Sequence, residues 1–183
     1  MSQPSYKKLF TYWFSVLVYD LTIEFCGKYI SSYKLREQME GAARSGKQNI
    51  VEGSVDMRTS LKTAIKLTQI ANGSIEELIG DLEDFLRQRK LKQWSKTDSQ
   101  VLKMRANYGA LVSNLSSQSN LSQNSVVLSS TPESAANQIL TLCHQLTYLL
   151  SHQVDALEKK HLIEGGYTEK LYKRRKDYIS NSK

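Results

Sequence analysis

The sequence predicts an all-α protein: an antiparallel, up-down-up-down four-helix bundle with a long connection between helices three and four and a short basic helix at its C-terminus. Apolar residues recur at three- and four-residue steps in four long segments. Only two prolines and nine glycines occur in 183 residues, which is unlike a many-stranded β fold. A hydrophobic content of 40% with 23% charged residues is typical of a globular protein with a real core.

The first predicted helix spans residues 6–27, with Ser5 as a possible N-cap. Its apolar stripe consists of Phe10, Trp13, Phe14, Leu17, Leu21 and Phe25. The second spans residues 34–51, and its inner face consists of Leu35, Met39, Ala42, Ala43, Gly46 and Ile50. Glu52-Gly53 is a natural stop, because glycine tolerates the left-handed conformation that often ends a helix.

The third predicted helix spans residues 60–91 and carries apolar positions at a seven-residue spacing over four heptads. One series is Leu61, Thr68, Ile75 and Leu82, and the companion series is Ile65, Asn72, Ile79 and Leu86. A repeat sustained over this length indicates a long bundle or coiled-coil helix.

The connection between the third and fourth helices is an insertion over residues 95–131. Residues 98–112 could form a short helix, whereas residues 113–130 are rich in Ser, Asn and Gln and predict a flexible surface loop. Thr131-Pro132-Glu133 then gives a hydroxyl N-cap, a proline at the first helical position and an acid near the positive helix end. The fourth helix should run to about residue 161.

Gly165-Gly166 ends the fourth helix and divides the chain. Residues 1–164 are predicted to form a single four-helix-bundle domain, and residues 165–183 a basic tail with a short helix over residues 167–179. Residues 134–154 contain no Asp, Glu, Lys or Arg, but they are too polar to span a bilayer, so no membrane association is expected. Cys26 and Cys143 lie among apolar residues, which favours buried reduced thiols and a cytoplasmic protein.

Two motifs resemble a known family. Residues 38–53 read Q-M-E-G-A-A-R-S-G-K-Q-N-I-V-E-G, and residues 71–78 read A-N-G-S-I-E-E-L. They resemble the Q-I-x-x-A-A-x-S-I-x-x-N-I-A-E-G and A-x-G-S-x-x-E-L stretches of the bacterial four-helix-bundle family encoded in intervening sequences of large-subunit ribosomal RNA genes. The longer chain is similar to the four helix bundle suffix-domain branch, through residues 144–150, 156–159 and Gly165-Gly166.

The resemblance implies a four-helix fold and an oligomer. A relative in this superfamily is the accessory variability determinant of diversity-generating retroelements, a basic homopentameric barrel that binds a reverse transcriptase and nucleic acid. A homopentamer, an RNA or DNA partner and a possible reverse transcriptase partner are therefore implied for this chain.

The motif residues have two interpretations. Small residues let helix axes approach closely, and the polar ones beside them form either a hydrogen-bond network that fixes helix register or a ligand pocket. The network is favoured because no nucleophile–base pair accompanies them. The motif set is Gln38, Ala42, Ala43, Ser45, Asn49, Glu52, Gly53, Ala71, Gly73, Ser74 and Glu77.

No enzyme activity, metal or cofactor is expected. The single Glu158-to-His161 Glu-x-x-His lacks the second copy that a di-iron bundle needs. No phosphate-binding glycine loop, nucleophile elbow or zinc-protease motif occurs. His144 and His152 are more typical of solvent or interface histidines than of ligands.

Positive charge is concentrated in three patches, and the net charge is +7. The candidate nucleic-acid-binding residues are Arg44, Lys47, Arg58 and Lys62 near the turn between helices two and three, Arg87, Arg89, Lys90 and Lys92 at the end of helix three, and Lys173, Arg174 and Arg175 in the tail. Such patches attract phosphates without reading sequence, and their binding weakens with salt. The alternative is a solvated surface that keeps the protein soluble.

The fourth helix has an uncharged polar face, which fits a subunit contact or, equally simply, a contact with the inserted segment. It consists of Asn137, Gln138, Thr141, His144, Gln145, Tyr148, Ser151 and His152. The sequence therefore predicts a non-enzymatic, oligomeric nucleic-acid-binding accessory protein. The alternative is an oligomeric protein-interaction scaffold that uses this face and the 113–130 loop and binds no nucleic acid.

Overall fold

Helices form wherever the sequence carries a three-to-four-residue apolar repeat, and the described part of the chain contains no β-strand. A computed structural model describes residues 4–57, 59–118 and 126–181. After a 3₁₀ turn at Ser5–Lys8, the helices are α1 (Phe10–Tyr29), α2 (Tyr33–Asp56), α3 (Leu61–Gln88), α4 (Ser99–Gln118), α5 (Pro132–Glu164) and α6 (Tyr167–Asn181). The predicted all-α class is confirmed.

The first helix starts later than predicted, and Ser5 is not its N-cap. Leu9 is extended and separates the 3₁₀ turn from α1. The Trp13 indole donates a hydrogen bond to the Lys7 carbonyl at 2.8 Å. The 3₁₀ turn is therefore stabilised by the Trp13 side chain of α1 and not by a capping side chain of its own. The Ser5 hydroxyl instead lies 3.2 Å from that of Ser54 at the far end of α2.

The predicted stop at Gly53 is wrong, because α2 continues to Asp56 and Gly53 lies inside it. A Cβ on Gly53 would lie 3.4 Å from both the Ala64 carbonyl oxygen and the Leu67 Cβ. This glycine therefore allows α2 and α3 to approach closely instead of ending the helix. The N-cap of the next helix, α3, is Ser60, whose side chain accepts a hydrogen bond from the Thr63 amide.

The prediction of a loop over residues 113–130 is wrong in its first part, because α4 continues through Gln118. Val112 and Leu115 are buried, which extends the apolar side of the helix beyond its predicted end. Residues 119–125 lie outside the described residues. Farther on, Leu128 is buried in the main core.

The start of α5 is confirmed as predicted from Thr131-Pro132-Glu133. Thr131 and Ser134 form a reciprocal capping box, and Pro132 occupies the first turn. The helix ends at Glu164, three residues later than predicted, and Gly165 follows with φ +70°. That left-handed φ suits glycine, which lacks a Cβ. The short basic helix expected in the tail is present as α6.

Five helices pack together around the core. Helix α1 contacts α2 and α5, α3 contacts the same two helices from the other side, and α4 packs on α5 and α1. The first heptad series of α3 is buried, Thr68, Ile75 and Leu82 completely, and a continuous cluster joins residues from α1, α2, α3, α4 and α5. Burial of these stripes is the main source of stability in such a fold.

Cross-helix contacts fix which chain segments share an end of the molecule. Leu61 and Ala64 cluster with Leu157, so the beginning of α3 and the later part of α5 lie together near residues 57–60. This is called the 57–60 end. Asn137 near the start of α5 bonds to the backbone of Lys92 and Trp94, which places them together at the opposite, 89–98 end.

None of the described helices combines the length and the apolar character that a bilayer crossing requires.

Candidate nucleic-acid interface

The basic patch near the turn between α2 and α3 contains cations in different environments. Arg44 and Lys62 are exposed. Lys47 lies over the Tyr19 ring at 3.6 Å from its centroid, and burial lowers the pKa of its ammonium although Asp20 opposes this shift. Arg58 falls outside the described residues. The Lys47 side chain therefore packs between α1 and α2 and is a poor phosphate ligand.

The patch at the end of α3 is exposed but meets carboxylates from other elements. Arg87 pairs with Asp84 at 2.7 Å, and the Arg89 guanidinium lies 4.0 Å from the centre of the Phe85 ring. Lys90 and Lys92 are exposed, but the Lys92 amide donates to the Glu133 carboxylate at 3.0 Å.

Glu133 also accepts from the Trp94 indole at 3.4 Å, and Glu83 accepts from Gln93 at 2.8 Å. Glu133 comes from α5, so the local sequence around residues 87–105 does not reveal it, whereas Glu83 lies one turn before Arg87 in α3. They weaken the positive field at the 89–98 end.

The tail patch is the most accessible of the three. Lys173, Arg174 and Arg175 all lie in α6 and are exposed. Among residues 4–57, 59–118 and 126–181, the ion pairs are Lys28–Glu24, Arg87–Asp84, His152–Asp155 and Lys170–Glu164, and these three cations take part in none of them. Their charges remain available to an external anion.

One cation of the first predicted patch, Lys62, lies at the same end of the molecule as the start of the tail helix, whereas Arg44 and Lys47 lie in the middle of α2. Because Leu157 lies against Leu61 and Ala64, α5 ends where α3 begins. Lys62 and the start of α6 are therefore both at the 57–60 end, where Lys159 and Lys160 of the last turns of α5 are also exposed. The α3-end patch lies at the opposite end, so the positive charge is split between two surfaces.

The polar motif residues form a bonded network between α2 and α3. The Ser45 and Ser74 hydroxyls lie 2.9 Å apart, and the Ser74 hydroxyl also donates to the Ile70 carbonyl at 3.1 Å. Asn49 donates to both the carbonyl and the hydroxyl of Ser45, at 2.9 and 3.2 Å. This network joins the two helices at one register, as the favoured interpretation predicted.

The remaining motif residues divide by exposure. Ala42, Ala43 and Ala71 are buried, whereas Gln38, Glu52 and Glu77 are exposed. Gly73 is also exposed, and a Cβ there would meet nothing within 4 Å. The expectation that Gly73 permits a close helix contact is therefore wrong. Gly46 has that role, because its Cβ would come within 2.6 Å of the Ile75 Cδ1.

Three motif residues line a shallow groove of about 450 Å³ between α2 and α3. Its walls are Glu37, Gln38, Gly41, Ala42, Glu77, Gly80 and Asp81. Burial, together with Asp84 and Glu77, raises the pKa of Asp81. Three carboxylates in one groove repel phosphate, so the motif itself is not a nucleic-acid contact.

Part of the uncharged face of α5 packs against the inserted segment. Gln138 donates to the Tyr108 hydroxyl at 2.6 Å and to the Val127 carbonyl at 3.1 Å, and accepts from the Ser129 amide at 2.7 Å. Gln145 donates to the Arg105 carbonyl at 3.3 Å. These contacts explain the missing charges at these two positions without a second subunit.

The rest of that face lines a groove of about 920 Å³ that the sequence did not predict. Its walls come from α3, the 93–105 segment and α5, and include Glu76, Glu83, Trp94, Lys96, Arg105, His144, Tyr148, His152 and Asp155. No periodic pattern links three segments so distant in sequence. The uncharged stretch of α5 was the one sequence feature that pointed to a contact surface here.

The two histidines of this groove differ. Desolvation lowers the pKa of His144, with Lys96 and Arg105 in the same direction and Glu83 and Glu76 opposed. The His152 ring meets the Tyr148 ring edge-on at 4.3 Å, and its Nδ1 lies 3.7 Å from the Asp155 carboxylate. A surface with both signs of charge and an exposed tyrosine is better suited to a protein or small-molecule contact than to a polyanion.

Both cysteines are free and buried, as the sequence predicted. Desolvation raises the pKa of Cys26 to about 12 and raises that of Cys143 as well, so neither thiol is a ready nucleophile. Within the described residues, no group of three or more His, Cys, Asp or Glu side chains is placed to hold a metal ion.

Comparison with known proteins adds no residue to these sites. No protein-family model, no curated protein and no solved structure matches this chain.

Proposed function

We propose that this chain is a non-enzymatic, oligomeric accessory protein that binds RNA or DNA through basic side chains at its 57–60 end. The observation that carries the proposal is the set of exposed cations in α6, which form no ion pair with any described residue and project from the end of the molecule that also bears Lys62. Binding of this kind depends on phosphates and carries no base preference of its own.

The proposal extends to the fold and the assembly. Helices α1, α2, α3 and α5 would form an up-down-up-down bundle, supported by contacts that run in opposite directions along neighbouring helices, such as Thr11 with Gln153 and Tyr29 with Ser130. The resemblance of residues 38–53 and 71–78 to the intervening-sequence family supports a homopentamer and a reverse transcriptase partner.

The test is fluorescence anisotropy of labelled RNA and DNA oligonucleotides between 25 and 300 mM salt, values chosen to span roughly the range in which phosphate contacts are lost. We expect affinity to fall steeply as salt increases. The Lys173→Gln/Arg174→Gln/Arg175→Gln variant should bind more weakly and reduce the log–log salt slope by about 2 to 3, because each lost phosphate contact reduces it by about one.

A matched control removes the same charge from the opposite end. Arg89→Gln/Lys90→Gln/Lys92→Gln should change affinity less than the α6 variant, because the Glu133 and Glu83 carboxylates already weaken the field there. Absence of binding at the lowest salt would refute the nucleic-acid function. Light scattering on the same sample should give a mass of five times the 20.8 kDa chain.

A second candidate function is an oligomeric protein-interaction scaffold without nucleic-acid binding. The groove between α3, α5 and the 93–105 segment favours it, because Tyr148 remains 63% exposed there beside His152. It predicts that a discrete oligomer or a co-purifying protein persists after nuclease treatment. Absorbance at 260 nm on the fresh sample separates the two functions.

A further inference from the structure

The two sides of α6 differ in chemistry. At 3.6 residues per turn, one side spans roughly 160° of the helix and combines aromatic and aliphatic residues with arginine. It consists of Tyr167, Thr168, Leu171, Tyr172, Arg174, Arg175, Tyr178 and Ile179, and contains no carboxylate. The other side mixes Lys173 and Lys176 with Glu169 and Asp177. This first side is called the tyrosine–arginine face.

The tyrosine–arginine face is open to solvent. Tyr172 is 70% exposed, Tyr167 52% and Leu171 46%. No residue of α6 belongs to either hydrophobic core. An exposed face with this much aromatic and aliphatic surface typically marks a binding site.

The first turn of α6 is held by its own contacts, which leave the arginines available. Glu169 accepts from the Gly166 amide at 2.8 Å, and Lys170 pairs with Glu164 at 2.7 Å. These bonds order the junction after Gly165, where φ is +70°. Arg174 and Arg175 take part in no ion pair with a described residue.

The chemistry of the face selects among polyanions. A duplex presents phosphates but keeps its bases stacked inside, so its backbone would use the arginines and leave the tyrosines without a partner. A single strand presents phosphates and unstacked bases together, and aromatic side chains and arginine planes both stack on bases. A membrane-surface helix keeps its cations on the side opposite its apolar residues, whereas Arg174 and Arg175 lie on the same side as Leu171 and the tyrosines here.

We propose that the tyrosine–arginine face of α6 binds single-stranded nucleic acid, with Tyr167 and Tyr172 stacking on bases and Arg174 and Arg175 contacting phosphates. This inference rests on the proposed nucleic-acid function and makes it specific for strand type. It also assigns base contact to α6, for which the sequence predicted only phosphate contacts through positive charge.

The experiment compares a labelled 20-nucleotide single strand with a hairpin duplex of equal length, using the full chain and anisotropy. Tyr167→Leu/Tyr172→Leu keeps apolar bulk and helix propensity but removes the rings. We expect it to bind the single strand at least tenfold more weakly and the duplex within twofold of the native chain. Tyr167→Phe/Tyr172→Phe, the matched control, should retain single-strand binding because the rings remain.

The possible outcomes distinguish a failure of this inference from a failure of the proposed nucleic-acid function on which it rests. Equal binding of single strand and duplex by the native chain, or an equal loss for both with the leucine variant, overturns the inference and leaves nucleic-acid binding in place. No binding to either oligonucleotide overturns both. If the chain instead binds phosphatidylserine vesicles and neither oligonucleotide, α6 is a membrane-surface helix and the inference is wrong.

Discussion

At the scale of single residues, the space beside each helical glycine decides whether a Gly→Ala substitution stabilises or destabilises the protein. Gly46 and Gly73 both belong to the motif-bearing helices, and both were expected to be small because a neighbour is close. The Cβ position of Gly46 is occupied by the end of the buried Ile75 side chain, whereas that of Gly73 is empty. Their substitution should therefore have opposite effects.

Gly73→Ala is expected to stabilise the protein by about 0.5–1 kcal/mol, because alanine lowers the entropy of the unfolded chain and favours the helix. Gly46→Ala should be less stable than Gly73→Ala by about 1–3 kcal/mol, since Ile75 must move in a packed core. Urea unfolding monitored by circular dichroism measures both. Equal stability of the two variants would contradict the close approach at Gly46.

Asp81 provides a pH-dependent prediction at the same scale. Burial and the neighbouring Asp84 and Glu77 raise the pKa of its carboxyl in the folded protein. Its ionised form therefore costs stability above this raised pKa, and the cost disappears below the unfolded pKa of about 3.9. Asp81→Asn should stabilise the protein by about 0.5 kcal/mol at pH 7, the size of a like-charge pair on a helix.

The gain from Asp81→Asn should shrink as the pH is lowered towards 4, because the native carboxyl then becomes neutral too. Thermal unfolding of both proteins across this range checks the prediction. Glu158→Gln, which removes an exposed carboxylate from α5, is the control for loss of a carboxylate elsewhere. A gain that is independent of pH would indicate that packing, not charge, is responsible.

At the scale of elements, a buried amide links α4 and the segment before α5 to the bundle, in addition to their apolar contacts with the core. Gln138 bonds to the Tyr108 hydroxyl, the Val127 carbonyl and the Ser129 amide. Gln138→Leu leaves all three without a partner, at a cost of about 1–3 kcal/mol. Hydrogen exchange should accelerate at residues 126–131 and in α4, while α2 and α3 remain protected.

The control for Gln138 is Thr141→Val. The Thr141 hydroxyl is buried on the same helix but donates only to the Asn137 carbonyl within α5. We expect little change in the exchange of the inserted segment with this variant. Equal acceleration in both variants would mean that general loosening of α5, rather than the Gln138 contacts, controls the inserted segment.

Considered as a whole molecule, the protein separates its packed core from its most accessible cations. The core is built by α1, α2, α3, α4 and α5, and α6 extends beyond it. Removing residues 167–183 should therefore change the free energy of unfolding by less than about 0.5 kcal/mol, as for other exposed segments, while abolishing most nucleic-acid binding. Denaturant unfolding and anisotropy on the same preparation measure the two effects.

A large loss of stability in the truncated chain would place α6 in the fold rather than at its surface. Lys173→Gln/Arg174→Gln/Arg175→Gln serves as the comparison, since it removes charge without removing the helix. If truncation leaves binding intact, the phosphate contacts lie on the bundle instead, at Lys62 and its neighbours.

The sequence determined by itself where the helices lie and which sides of them are apolar. The reason is that these signals involve residues only a few positions apart in the chain: the helix periodicity, the Thr131 capping box and the glycine at Gly165 that ends α5. The bonded motif network was also predictable, because Ser45 and Asn49 are one helical turn apart. Local signals failed at Gly53, where the neighbouring helix and not the helix end required a glycine.

Only the tertiary structure decided how distant segments combine. It brought Glu133 to the basic end of α3, placed Lys47 over Tyr19, and assembled a groove from three separate segments. Charge acts through space over about 8 Å at physiological salt, whereas sequence orders residues only along the chain. The accessible cations of the molecule are therefore a property of its packing, and Lys173, Arg174 and Arg175 retain their charge because no acid in the described part of the chain pairs with them.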